Sequence, residues 1–131
     1  MRIARLIAAA MFSVSASGAF AQAPDYTGKW LFSGLILSSR MAISFAQVCN
    51  IQQTGVQIAG ACQGPNGGCS AVGIVNGGQV DLTCSLTNTN NPSISGVLTF
   101  HGAVAPDAIV RGTVTHSKAG AVVGQASIMR L

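Results

Sequence analysis

Glutamate is absent from the 131-residue sequence, and Asp25, Asp81 and Asp107 are its only acids. Three isolated carboxylates supply no pair for glycoside-type acid and base chemistry. There is no Gly-x-Ser-x-Gly elbow to expose a nucleophilic serine. The glycine-rich stretch Gly64-Pro65-Asn66-Gly67-Gly68 lacks the Lys-Ser/Thr ending and following helix of a phosphate loop. Aromatic residues make up 5% of the chain, with one Trp and one Tyr, too few for the aromatic girdles of an outer-membrane barrel. The basic residues Lys29, Arg40, Arg111, Lys118 and Arg130 are spread along the chain and form no nucleic-acid footprint. With no recognisable catalytic roles, the chain reads as a non-enzyme with no cofactor.

Long apolar runs are also missing, save one near the start. Arg2 and Arg5 precede the apolar run Leu6 to Phe12, a small polar stretch from Ser13 to Gly18 follows, and Ala19-Phe20-Ala21 closes the segment. That is the order of a secretory leader with a small-x-small cleavage site. Ser13, Ser15, Ser17 and Gly18 interrupt it too early for a membrane helix of about 20 residues. The sequence therefore predicts a leader over residues 1–21, or 1–23 by the Ala21-Gln22-Ala23 pattern, and a single domain over 22–131. The product should be exported, periplasmic or extracellular, with no membrane anchor after cleavage. Roughly 110 residues would remain, enough for one core but near the size where cross-links help.

What is abundant is Gly, Ser, Thr, Asn, Val and Ile, a composition that favours strands and turns. About eight alternating runs separated by turn signals can be read, none holding a helical period. In the second, Met41 to Gln53, positions Met41, Ile43, Phe45, Cys49 and Ile51 share a face. In the fifth, Gln79 to Thr87, positions Val80, Leu82, Cys84 and Leu86 alternate with Asp81, Thr83, Ser85 and Thr87, which marks one dry and one wet face. A weak repeat, aliphatic-x-Gly-x-apolar, recurs at Ile58 to Cys62, Ile94 to Leu98, Val110 to Val114 and Val122 to Ala126. Glycine in phase on the apolar face is what strongly coiled strands of a small barrel would use. Successive hairpins with edges managed by closure predict an all-β, eight-stranded antiparallel up-and-down β-barrel, with a β-sandwich as the alternative.

The four cysteines, an even number in a small exported chain, predict disulfides among Cys49, Cys62, Cys69 and Cys84. A zinc site is not expected, because Cys62 and Cys69 have no CxxC partner. A hairpin turning on Gly55-Val56 sets Cys49 opposite Cys62. One turning on Asn76-Gly77 sets Cys69 opposite Cys84, but it also sets Val72 and Ile74 against Asp81 and Gln79. A loop one residue longer would instead align Val72 and Ile74 with Leu82 and Val80. His101 and His116 fall near opposite ends of adjacent strands, roughly 20 Å apart at about 3.3 Å per residue, and read as rim or surface residues.

At Gly28-Lys29-Trp30 and again at Gly55-x-x-Ile58-Ala-Gly60-Ala-Cys62 the chain resembles small exported lipocalin-like and avidin-like barrels. The resemblance implies a calyx-type barrel and a structural Trp30 packed at its closed end. Avidin-like proteins hold biotin with several tryptophans, and Trp30 stands alone, so biotin is not implied. The expected function is a binding module for a small apolar ligand held by the inward residues Phe45, Ile58, Leu82, Leu98, Phe100, Val114 and Ile128. The alternative is a protein-binding or inhibitor-type module acting through its loops, especially Gly64 to Gly68 and Asn88 to Pro92. An apolar cavity of about 300 Å³ or more would favour the first, and a filled interior the second.

Overall fold

The computed structural model describes residues 25–39 and 41–131. The expected leader, with both of its cleavage points, lies outside the described residues. Eight strands follow in chain order: β1 Gly28–Leu37, β2 Ala42–Thr54, β3 Gln57–Gly64, β4 Gly67–Asn76, β5 Gln79–Asn88, β6 Gly96–Val104, β7 Val110–His116 and β8 Gly124–Arg130. Each pairs antiparallel with its sequence neighbours, and β8 returns to β1, giving a closed up-and-down barrel rather than a two-sheet sandwich. A 3₁₀ turn, Pro92–Ile94, sits between β5 and β6. Ile94 and Val122, read as strand residues from the sequence, fall in connections instead.

Period-two alternation sets the two faces. Strand β2 reads buried at Ile43, Phe45, Gln47, Cys49 and Ile51 and exposed between them. Strand β5 does the same at Val80, Leu82, Cys84 and Leu86. The apolar residues fill the inside, while β3, β5 and β7 present Gln57, Gln63, Thr83, Ser85, Arg111 and Thr113 outside. Strands β1 and β4 add exposed aliphatic residues to the outer surface, Leu35 and Leu37 on the first and Val72 and Ile74 on the second.

Strand coiling brings the walls together at the in-phase glycines. A Cβ on Gly60 would lie 2.0 Å from the Asn50 carbonyl oxygen, and one on Gly112 would lie 1.9 Å from that of His101. No side chain fits at such distances, so glycine at these positions is a packing requirement. Its recurrence in the sequence is therefore not a by-product of composition. Two-residue turns begin with Gly55 and Gly77, at φ +62° and +60°, the sign that twist-matched hairpins demand at their first position.

The first disulfide follows from the β2–β3 turn: Thr54 faces Gln57, and Cys49 faces Cys62 and is bonded to it. The second joins Cys69 to Cys84, with Cα atoms 5.6 Å apart. Its register differs from both sequence alternatives. The turn falls on Gly77-Gly78, so Asn76 faces Gln79, Cys69 faces Leu86, and Cys84 faces Ala71. The bond is therefore diagonal. Cys69 also faces Cys62 across β3–β4, which places both bridges in one buried patch.

At the end of the barrel where β1 begins and β8 finishes, Trp30 is buried and its indole N–H donates to the Tyr26 carbonyl at 2.8 Å. The Arg130 guanidinium lies over the indole, 4.2 Å from the ring centroid, and donates to the carbonyls of Asp25 and Thr27. Trp30→Ala should cost about 3 to 5 kcal/mol, as for other buried large aromatics. Gly112→Ala should cost about 3 kcal/mol, at the upper end for overpacking. Gly78→Ala, where an added Cβ meets nothing within 4 Å, should stay within about 0.5 kcal/mol of wild type. Urea-denaturation midpoints of the three variants check this order.

Candidate functional site

All seven residues assigned to an internal ligand do point inward, and all are buried: Phe45, Ile58, Leu82, Leu98, Phe100, Val114 and Ile128. They meet one another and their neighbours as a packed core. The Phe32 ring stands edge-on to Phe45 at 4.9 Å and to Phe100 at 5.7 Å between centroids. The interior space lined by Tyr26, Trp30, Ile51, Ile58, Val80 and Ile128 amounts to about 20 Å³. Space of this kind must reach about 10 to 15 Å³ to hold one water, so the interior has room for about one water and not for a ligand. The coiling that the glycines permit has brought the walls into contact.

A much larger concavity lies on the outside. An open trough of about 590 Å³ crosses strands β2 to β6. Two rows of outward side chains form its walls. One runs Gln52, Ala59, Val72, Thr83, Thr99 and the other Thr54, Gln57, Ile74, Asp81, His101, each residue directly opposite the next across its strand pair. The rows lie about 6.6 Å apart along the strands and extend about 19 Å across four strand spacings. Between them the main chain of Ile58, Gly73, Leu82 and Phe100 makes the floor.

The β4–β5 turn frame gives this trough its apolar part. With Cys69 and Val75 pointing in, Ala71 and Gly73 also point in, and the larger Val72 and Ile74 point out, 56% and 53% exposed. Hydroxyls and side-chain amides surround them. Beside Ile74, Asp81 and His101 face each other across β5–β6, and the His101 Nδ1–H donates to an Asp81 carboxylate oxygen. That hydrogen bond leaves Nε2 as the ring atom open to a guest.

The other acids are already engaged. Asp107 accepts from both terminal nitrogens of Arg111, and this guanidinium, with the Ile109 N–H, holds the Asp107 carboxyl below the ordinary aspartate range. Asp25 accepts from the Thr27 N–H, which with the Thr27 hydroxyl lowers its pKa, Arg130 adding a smaller effect. Asp81, by contrast, has a histidine rather than an arginine as its side-chain partner. A second outer concavity, about 350 Å³ beside Ser33, Leu35, Arg111, Gln125 and Ser127, has as its charged group the arginine that Asp107 already holds.

The opposite end of the barrel carries two buried polar groups. His116 is not on the surface: it is 1% exposed, because the 89–95 connection folds over it. Its Nε2–H donates to the Ile94 carbonyl at 2.7 Å, and its Nδ1 accepts from the Lys118 N–H at 3.0 Å. Gly96 leaves room for the ring. Gln47 is buried in β2 with Oε1 unpaired among the described residues, beside a space of about 50 Å³ under Pro65, Asn66 and Asn88, large enough for a water. The two loops above are tied together. Asn66 accepts through its carbonyl from the Thr89 N–H and through its side chain from the Asn90 amide. The Asn88 side chain accepts from the N–H groups of Asn90 and Asn91. The β3–β4 loop is thus shorter than expected, Pro65 and Asn66 alone, since Gly64 and Gly67 pair.

No family model matches the chain, and no curated protein matches it. Val72, Ile74, Asp81 and His101 lie on the outer face, outside the inward set that the alternation assigns to a ligand. The Asn76-Gly77 frame already places Val72 and Ile74 on the wet face, and reading Gly77-Gly78 as the turn dipeptide sets Ile74 directly against Asp81. A carboxyl-carbon NMR titration should find the midpoint of Asp107 below that of an ordinary aspartate, and Arg111→Ala should return it upward. A depressed folded-state pKa means that the pair favours folding above the unfolded aspartate pKa. Its contribution fades as the pH falls through the folded midpoint.

Proposed function

We propose that this protein is an exported binding module of the protein-binding or inhibitor type, and that it engages an extended polypeptide segment through the outer trough on β2 to β6. The contrast between about 590 Å³ outside and about 20 Å³ inside carries this reading. Binding pockets for small molecules occupy about 300 Å³ or more. A trough about 19 Å long holds five or six extended residues at about 3.3 Å each. Gln52, Gln57, Thr54, Thr83 and Thr99 offer side-chain donors and acceptors to a guest main chain, while Val72 and Ile74 offer apolar contact. No exposed Phe, Tyr or Trp lies among the trough residues to stack on a sugar, so a peptide fits better than a glycan. The likeness to lipocalin-like and avidin-like barrels enters the proposal only as scaffold, through Gly28-Lys29-Trp30 and strand closure. Two disulfides suit a chain that matures in an oxidising compartment.

Amide chemical-shift mapping tests the proposal. A mixture of capped hexapeptides drawn from Ala, Val, Thr, Ser and Lys should shift the amides of Ala59, Val72, Ile74, Thr83 and Thr99. Palmitate should leave the amides of Trp30, Ile51, Ile58 and Ile128 in place. Saturable palmitate shifts at those inward positions, with no peptide response in the trough, would return the function to an internal ligand.

A further inference from the structure

Resting on the trough as the binding surface, we propose that its guest segment carries a lysine or arginine whose charged head pairs with Asp81 while its aliphatic stem lies along Ile74 and Val72. The argument starts from register. Ile74 stands directly opposite Asp81, and Val72 is diagonal to it on the same outer face of β4. A carboxylate beside a shelf of exposed aliphatic carbon complements the two parts of a basic side chain, an apolar stem and a cationic tip. The charge pattern points the same way. Of the residues lining the trough, Asp81 is the one with a full negative charge, and no lysine or arginine lines it. His101 occupies one carboxylate oxygen through Nδ1 and fixes the orientation of the group. Asp81 remains open to solvent, its side chain 58% exposed. A glutamate or aspartate in the guest would meet the same carboxylate at close range, and like charge placed there costs affinity. A purely aliphatic guest would gain the shelf alone.

Three capped hexapeptide sets separate these cases, with a central lysine, norleucine or glutamate and flanking positions mixed over Ala, Val, Thr and Ser. Titrated against the full exported chain at low salt, the lysine set should bind about three- to fivefold more tightly than the norleucine set, the size expected of an exposed ion pair. The glutamate set should bind more weakly than both. Asp81→Asn, an isosteric change at an exposed position, should erase the lysine preference without abolishing trough shifts, and added salt should narrow it in the wild type. Equal affinity for lysine and norleucine sets, with trough shifts intact, would overturn the cation assignment and leave the trough as the binding surface. Absence of trough shifts with all three sets would overturn both. Trough shifts that grow with protein concentration alone would make a second copy of this chain the occupant and overturn the proposal equally.

Discussion

The structure depends on the closeness of neighbouring main chains at inward glycines. Gly60 and Gly112 sit where a Cβ would fall within about 2 Å of a carbonyl oxygen on the next strand, and Gly73 and Gly124 are only slightly less crowded, at 2.2 and 2.3 Å. Strands that bend at such points curl tightly, and eight of them close around side chains rather than around a space. The same bends shape the outside. Gly73 lies in the floor of the outer trough, so the feature that removes the internal cavity also helps to form the external one. Core and candidate site are two sides of one curvature.

Much of the architecture can be read from residue order. Alternation places Ile43, Phe45, Cys49 and Ile51 on one face of β2 and Val80, Leu82, Cys84 and Leu86 on one face of β5, because a buried sheet face tolerates no break in period two. Gly55-Val56 defines its hairpin without ambiguity, and the opposition of Cys49 and Cys62 follows. Asn76-Gly77-Gly78 does not, since three adjacent turn residues allow more than one frame. A shift of turn frame changes what faces what, and there the fate of Val72 and Ile74 was decided by the inward pull of Cys69, Cys84 and Val75. The fate of His116 was not legible for a different reason. Its burial comes from a connection that folds back over the barrel end, and nothing in β7 itself announces it. The volume of the interior was also beyond sequence, because small inward residues serve an empty calyx and a tightly coiled wall alike.

The candidate site has the mixed character of a recognition surface. Side-chain amides and hydroxyls flank two exposed aliphatic residues, and the hydrogen-bonded Asp81 and His101 sit beside them. Each of those outward positions belongs to a strand whose other face is locked in the core, so the trough residues are held on a rigid support rather than on loops. Rigid placement lowers the ordering cost of binding to that of the guest.

The barrel is a run of neighbouring hairpins with a single seam. Every strand pairing joins sequence neighbours except β1 to β8, and neither disulfide crosses that seam: they stitch β2–β3 and β4–β5. At one end the seam is fastened by the chain's last residues, where the Leu131 N–H donates to the Lys29 carbonyl and Arg130 reaches Asp25 and Thr27. The two chain ends of the domain thus lie side by side. New termini cut at an exposed turn such as Gly77-Gly78, with the old ones joined by a short linker, would turn the seam into one more hairpin.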